Sequence, residues 1–286
     1  LENLKDKNIL IFGGQSYVGG FLKKYLVKNG VKFFSPDEHH LDPYSTIEVK
    51  DKFSSIIYLN DKSGIPESWQ EPGEYFKVNA YGLLNAVEYA RKSEAHFIYL
   101  SGCIYGENVK NPISETQIIN PTNPYAFSKK TAEDILQFYF KNYSFPSVIV
   151  RPFNIYGPGQ SNNFIISKIV DQVTNAGKSH IEVFDLEPKR DYIYIDDIIS
   201  FIIRLLNFKN HDVFNLGTGK SHSVLDVVSA IQAIFGSSKK VISLNQIRDL
   251  EARELVADMS KAKSILGWEA SIGLKDGLRK IKESIK

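Results

Sequence analysis

Tyr125-Ala126-Phe127-Ser128-Lys129 sets a phenol and an ammonium four residues apart, the spacing that brings two side chains onto one face of a helix. A phenol with an unperturbed pKa of about 10 is a poor base at neutral pH. A neighbouring Lys⁺ stabilises the phenolate, lowers that value and makes proton exchange with an alcohol feasible. Ser101 stands where the apolar run Phe97-Ile98-Tyr99-Leu100 ends. Ligands of open parallel sheets bind at such C-terminal strand ends, where a serine hydroxyl can share a substrate hydrogen bond with Tyr125. Far upstream, Phe12-Gly13-Gly14-Gln15-Ser16-Tyr17-Val18-Gly19-Gly20 lies between a short apolar run and a helical pattern. Glycines there permit a tight turn and let backbone N–H groups approach a pyrophosphate at a helix N-terminus. Each feature alone has a plain structural explanation. Glycine loop, strand-end serine and Tyr/Lys helix in that order point jointly to proton and hydride chemistry on a bound dinucleotide.

The elements that must position these groups are legible as short apolar runs alternating with amphipathic stretches. Asn8–Phe12, Val31–Phe34, Ser55–Leu59, Phe97–Leu100 and Val148–Val150 read as strands. Helical spacing covers Val18–Asn29, Gly73–Ser93 and Tyr125–Tyr143, then Phe164–Ala176, Ile195–Leu206 and Val224–Phe235. Asn215-Leu216-Gly217-Thr218-Gly219 reads as a strand end and a turn. Such alternation predicts βαβ units: an α/β fold with a Rossmann-type doubly wound parallel sheet and a smaller mixed α/β C-terminal substrate lobe. The expected division is 1–157 for the dinucleotide-binding domain, with 190–217 returning to it, and 158–189 plus 218–286 for the substrate lobe.

Composition narrows the class. The 286 residues are 43% hydrophobic and 24% charged, an ordinary globular mixture long enough for two folding units. A net charge of +2, with no basic run interleaved with aromatics, argues against a nucleic-acid partner. The single cysteine, Cys103, excludes an internal disulfide and a multi-cysteine metal site, and no metal is expected. No apolar stretch approaches the roughly 18 residues of a membrane span, and the polar opening residues do not read as a signal peptide. A cytoplasmic location is the expectation.

The acid that holds the ribose 2′-OH of NAD belongs at the end of the second strand. Ser35 stands there, followed by Pro36, Asp37 and Glu38, with no Lys or Arg between Phe33 and Tyr44 to welcome a 2′-phosphate. NAD is therefore expected over NADP, without excluding the latter.

Taken with Gly64-Ile65-Pro66-Glu67-Ser68, Asn79-Ala80-Tyr81-Gly82, Arg151-Pro152-Phe153-Asn154 to Gly159, Arg190-Asp191-Tyr192-Ile193-Tyr194-Ile195-Asp196-Asp197, Asn215 to Gly219 and Ala257-Asp258 to Trp268, these motifs run nearly the whole chain. In them the chain resembles the extended short-chain dehydrogenase/reductase family, the nucleotide-sugar epimerases, dehydratases and reductases. The resemblance implies Tyr125 as acid/base, Lys129 as its orienting partner on the nicotinamide ribose, and Ser101 as an aid to proton transfer. It implies cofactor contacts at Gly13, Gln15, Ser16, Tyr17, Val18, Gly19, Ser35, Asp42, Leu59, Asn60 and Asn79. Asn154, Arg190 and Arg248 match positions that hold a substrate diphosphate, and Phe184 matches one that packs on the base. Cys103 and Asn163 fall in the substrate-binding region. A homodimer formed through the Gly73–Ser93 and Tyr125–Tyr143 helices is also implied.

The departures cluster at the cofactor end. Ser16 replaces a middle glycine, Ser35 the ribose-binding acid, and Asn60-Asp61 a small Ala-Ala pair, while the loop after the second strand is short. Ser101-Gly102-Cys103 lacks the Asp-Glu pair that sugar 4,6-dehydratases carry, so dehydration is set aside. Cys103 resembles the cysteine of GDP-fucose synthase, yet no partner histidine matches near Asn162-Asn163-Phe164, and an inert packed thiol is expected. The favoured expectation is an NAD-dependent nucleotide-sugar 4-epimerase; the alternative is an NAD(P)H-dependent reductase of nucleotide 4-keto-6-deoxysugars. A non-catalytic Rossmann-type sensor ranks last, because it has no use for the Ser101, Tyr125 and Lys129 set.

Overall fold

The computed structural model describes residues 4–36, 52–246 and 252–285. The first apolar run forms β1 (Asn8–Phe12), buried over its last four residues as a strand covered on both faces must be. It leads through the glycine loop into α1 (Tyr17–Lys28) and β2 (Lys32–Phe34). β3 (Ser55–Tyr58) is followed by α2 (Ile65–Gln70), α3 (Pro72–Phe76), a π-helical turn at Lys77–Tyr81, and α4 (Gly82–Ser93). β4 (His96–Leu100), α5 (Pro124–Tyr143) and β5 (Ser147–Pro152) come next. Then follow β6 (Asn154–Tyr156), α6 (Ile165–Thr174), β7 (His180–Val183), β8 (Lys189–Tyr194), α7 (Ile195–Leu205) and β9 (Asp212–Leu216). The chain closes with β10 (Ser221–Ser223), α8 (Val224–Phe235), β11 (Lys240–Ser243), β12 (Glu254–Leu255), α9 (Ser260–Leu266) and α10 (Leu274–Ile285).

Six strands make one sheet in the order β2-β1-β3-β4-β5-β9, and every ladder from β2 to β5 is parallel. The chain leaves β1 for β2 on one side and returns to β3 on the other. The strand order therefore reverses between β1 and β3, the switch point at whose C-terminal edge doubly wound sheets bind ligands. Leu10, Phe12, Ile56, Tyr58, Phe97 and Tyr99 of the sheet pack with Leu83, Ala86 and Val87 of α4 and Ala132 and Leu136 of α5 in one buried core. The fold is the Rossmann-type α/β arrangement that the alternating pattern implies.

Contacts divide the chain into two units, one of Leu1–Ile104, Pro121–Arg151 and Ile199–Phe214, the other of Tyr105–Asn120, Pro152–Ile198 and Asn215–Lys286. The sequence-based division differs from this in three places, the first being the main boundary, which falls after Arg151 rather than after 157. Tyr105–Asn120 goes with the second unit, because the Tyr105 hydroxyl donates to Asn215 Oδ1 at 2.6 Å and Ile113 bridges to Ala257. The segment returning to the first unit is Ile199–Phe214, narrower than 190–217. Within the second unit β8 sits between β10 and β12 and also pairs with β6, while β7 pairs with β11. The buried Asp197 carboxylate accepts from Ser271 N and Oγ and from Ile272 N, which ties the start of α7 to the approach to α10.

The expected Gly73–Ser93 helix is broken by the π turn. Asn79 is buried there, and its amide is spent on three bonds: to Lys62 O at 3.1 Å, from Lys62 N at 2.9 Å and to Ser128 Oγ at 2.9 Å. Such turns commonly mark functional sites, and this one braces the segment after β3 against α5.

His96, at the start of β4, is buried, and neither ring nitrogen has a hydrogen-bond partner among the described residues. Burial, helped by Lys209 and Lys7, drives its pKa from 6.5 down to about 3. Above pH 6.5 the ring is neutral folded or unfolded and contributes nothing to the pH dependence. Below it the unfolded chain takes up a proton that the fold refuses, so stability falls as pH drops from 6.5 towards 3, by at most about 1.4 kcal/mol per pH unit. His96→Leu should flatten that part of the curve; comparing Tm at pH 7 and pH 5 in both proteins measures the difference.

Candidate active site

The first unit assembles the glycine loop, the ends of β3 and β4, and the first turn of α5. Gly13 has φ +77°, and a Cβ on it would lie 2.5 Å from the Leu59 carbonyl carbon and 2.6 Å from Asn60 N. The turn after β1 thus rests directly on the segment after β3, a contact only glycine permits. A Cβ at Gly19 would collide with the Gly13 carbonyl, and one at Gly14 with Ser35 Oγ. Ser16 serves as the N-cap of α1, its Oγ accepting from Gly19 N at 3.1 Å. The departure from glycine at Ser16 is therefore a capping serine, and the tight approach is kept by Gly13, Gly14 and Gly19. Gln15, Tyr17 and Val18 complete this turn, and Leu59 and Asn60 border it. Asp42 lies outside the described residues, as do Asp37, Glu38 and Arg248.

Asn123-Pro124 starts α5: the Asn123 side chain accepts from Ala126 N at 2.8 Å and Pro124 fills the first helical position. Tyr125 consequently sits in the first turn and Lys129 one turn later, facing β4. Lys129 is fully buried; its Nζ donates to Leu100 O at 3.0 Å and to Asp61 Oδ1 at 3.1 Å, and lies 4.8 Å from the centre of the Tyr99 ring. The Tyr125 ring meets Tyr75 edge-on at 6.3 Å, and Tyr75 is fixed by bonds from its hydroxyl to Ser63 O and Gly64 O. A Cβ at Gly102 would lie 3.0 Å from the Tyr125 hydroxyl, so the residue after Ser101 must be small. Ser101 is buried, and its Oγ has no hydrogen-bond partner among the described residues. Cys103 is a half-buried thiol on the same loop.

The electrostatics correct one expectation. Burial raises the Tyr125 phenol well above its ordinary value and the Asp61 carboxylate raises it further; Lys129 pulls it down, but against the stronger effects. The lysine acts in the expected direction and is outweighed, since its charge is met by Asp61. Sequence reasoning noted Asp61 only as a departure from a small residue and assigned it no role; its pairing with Lys129 spans 68 positions. Tyr75 was not singled out either.

The group implied at this edge is a nicotinamide dinucleotide, and the residues fit it. Gly13, Gly14 and Gly19 let the turn after β1 pack closely without side chains at the N-terminal side of α1, and the buried Ser101 hydroxyl at the end of β4 is a donor and acceptor for an incoming molecule.

The second unit holds the remaining candidates. Arg190, 7% exposed on β8, donates to Lys189 O at 2.8 Å and Arg253 O at 3.5 Å. Asp191 beside it accepts from Thr218 N and Oγ1, Gly219 N and Ala257 N, and its carboxyl is raised by burial against the pull of those bonds. The Asn215–Gly219 turn owes its shape to this carboxylate. Asn154 is partly buried on β6, Asn163 is exposed before α6, and Phe184 is exposed after β7 with Lys168 Nζ 5.0 Å from its ring centre.

Residues 45–281 match the family model described as GDP-mannose 4,6 dehydratase. The chain belongs to that family. It is 26% identical to the GDP-6-deoxy-D-mannose reductase of Pseudomonas aeruginosa, over 96% of each chain. A UDP-glucose 4-epimerase of Thermotoga maritima, solved with UDP-glucose, superposes with a TM-score of 0.87 at 28% identity, covering 97% of this chain and 98% of that one. The P. aeruginosa protein RMD, solved with NADPH, superposes with a TM-score of 0.88 at 24% identity over 97% and 98% of the two chains. Members of the family are NAD(P)-dependent enzymes of several reaction types.

Proposed function

We propose that this protein is an NAD(P)-dependent oxidoreductase acting at C4 of the sugar in a nucleotide-diphosphate sugar. The observation that carries the reading is the joint placement of the buried Ser101, the Tyr125 phenol and the buried Lys129 ammonium around the end of β4. Tyr125 gives or takes the O4 proton, Ser101 shares the hydrogen bond to the same oxygen, and Lys129 orients the pair and reaches the ribose. A bound nicotinamide supplies or accepts the hydride. Gly13, Gln15 to Gly19, Ser35, Leu59 and Asn60 would hold the dinucleotide; Asn79 acts on the site by bracing its loop. Asn154, Arg190 and Phe184 are the proposed diphosphate and base contacts, Arg through its fork of donors.

Two outcomes share these residues. In 4-epimerisation the ketone turns and regains its hydride on the other face; in net reduction a 4-keto-6-deoxy sugar leaves as the alcohol. The 28% identity to the T. maritima UDP-glucose 4-epimerase supports the first, and the Asp61–Lys129 pair supports the second. Dehydration lacks an acid/base pair after Ser101. The absorbance and mass spectrum of the purified protein separate the two: retained NAD supports the epimerase, and a site that turns over only with added NAD(P)H supports the reductase. Exposed Phe127, Phe138 and Tyr143 on α5 support a homodimer through that helix, and the lone cysteine suits a reducing compartment.

Ser35 at the end of β2, with acids following it in sequence, should favour NAD(H). A 2′-phosphate close to a carboxylate costs roughly 1 kcal/mol or more at a wet surface, so a preference of about tenfold is expected. Titrating both cofactors into stripped protein measures it, and tighter NADP(H) would overturn the assignment.

A further inference from the structure

Lys129 is the only cation that reaches Tyr125 among the described groups bearing on its phenol, and it does not act alone. Its ammonium is held between the Leu100 carbonyl and Asp61 Oδ1, with the Tyr99 ring against it. Asp61 follows β3 at a position where the motif calls for a small residue. Its loop is not slack: the next residue, Lys62, has both backbone polar groups bound by the buried amide of Asn79, which also bonds Ser128 on α5. A braced segment therefore presents a carboxylate to the lysine of the Tyr/Lys pair. The groups facing Tyr125 are Lys129 from α5, Asp61 from the segment after β3, Tyr99 from β4, Cys103 from the segment after β4, and the Tyr75 ring from α3. One full positive and one full negative charge face the phenol, so it feels little net cationic pull.

We propose that Asp61 is a positioning residue: by holding Lys129 in an ion pair it blunts the pull of the ammonium on the buried Tyr125 phenol and fits this site to give a proton to a sugar carbonyl rather than take one from a sugar alcohol. This rests on the proposed oxidoreductase reading and gives it a direction. In that direction the carbonyl carbon gains a hydride from a reduced nicotinamide, and the C=O π pair moves onto oxygen. That oxygen takes the Tyr125 proton as the phenolic O–H breaks, and water reprotonates the phenolate. The sugar is reduced, the nicotinamide is oxidised, and one proton is drawn from solvent. A phenol that keeps its proton is the competent form for this step, whereas the reverse step needs the phenolate.

Asp61→Asn keeps the shape and removes the charge; Asp61→Ala restores a small residue. Each is compared with the parent by tyrosinate absorbance from pH 7 up to the alkaline limit at which the fold still holds, and each background is paired with its own Tyr125→Phe form so that the difference isolates one of the 15 tyrosines. In the parent, Tyr125 should contribute no tyrosinate below about pH 10. In both variants its ionisation should begin at least about one pH unit lower than in the parent, a tenfold loss of proton affinity. The alkaline limb of kcat/KM for carbonyl reduction should move down by the same amount, and an NADH titration reports that the fold is intact. Unchanged Tyr125 titration in the variants would overturn the role of Asp61, and a shift in Asp61→Ala alone would assign it to space rather than charge and overturn it equally. The titration needs no substrate, so it stands apart from a failure of the proposed activity, which would show as absent hydride transfer in the parent.

Discussion

Tyr125→Phe is expected to lower kcat by at least about 10²-fold while leaving cofactor and nucleotide-sugar affinity within a few-fold. The substitution removes one oxygen. The ring keeps its edge-on contact with Tyr75, and the helix keeps its Asn123 cap and its Lys129 anchor on Leu100. Buried Tyr99 and Ser101 remain, but neither stands in a helix with a lysine one turn on, so neither replaces the lost acid. Steady-state kinetics alongside a cofactor titration separate the two effects. A variant with near-normal turnover would remove Tyr125 from the proton transfer.

Glu133→Ala is expected to be the most destabilising change in the first unit. Arg151 Nε donates to both Glu133 oxygens at 3.1 Å and its Nη2 donates at 2.6 Å, with Glu133 fully buried and Arg151 nearly so. The pair joins α5 to β5 beneath the Tyr125 turn. Removing the carboxylate leaves a guanidinium in the core without its main partner, a loss of about 3–5 kcal/mol for a broken buried pair. In a chain of this size that corresponds to a Tm lower by roughly 10 °C. Replacing both residues with leucine should recover much of the loss, because two desolvated charges give way to apolar packing. Thermal unfolding of the single and double variants checks this; equal losses in both would show that the site depends on the ions themselves.

The strands that carry the candidate site could be placed from local pattern because each is a short apolar run ending at a glycine or a polar residue, and the ladders from β2 to β5 follow their order. Ser101 and the Tyr125/Lys129 pair lie together for local reasons also: one ends a strand, and the others share a helix face. What escaped depends on distance along the chain. Nothing in Lys77-Val78-Asn79-Ala80-Tyr81 signals a π turn; the signal is the bonding of Asn79 to residues 17 and 49 positions away. Tyr105–Asn120 has no periodicity of its own and is placed by Asn111, whose side chain bonds Glu254 O and Val256 N, and by Ile113, bridged to Ala257. The short strands β6, β7, β10, β11 and β12 carry too few residues for a period to show. The spacing of Tyr and Lys predicts a lowered phenol; the effect has the opposite sign because burial and a carboxylate that another loop delivers lie outside that spacing.

Hydride delivery to sugar C4 is the centre of the account, and isotope transfer tests it most directly. Cofactor-stripped protein is mixed with [4,4-²H₂]NADH and a GDP- or dTDP-linked 4-keto-6-deoxyhexose, and the product is read by mass spectrometry and NMR. The reductase reading requires one deuterium at C4 of that sugar, and the epimerase reading requires deuterium placed at C4 of a nucleotide-hexose to reach bound NAD; either transfer should be at least about 10²-fold slower in Tyr125→Phe. No transfer in either direction, or transfer as fast without the Tyr125 hydroxyl, would contradict it.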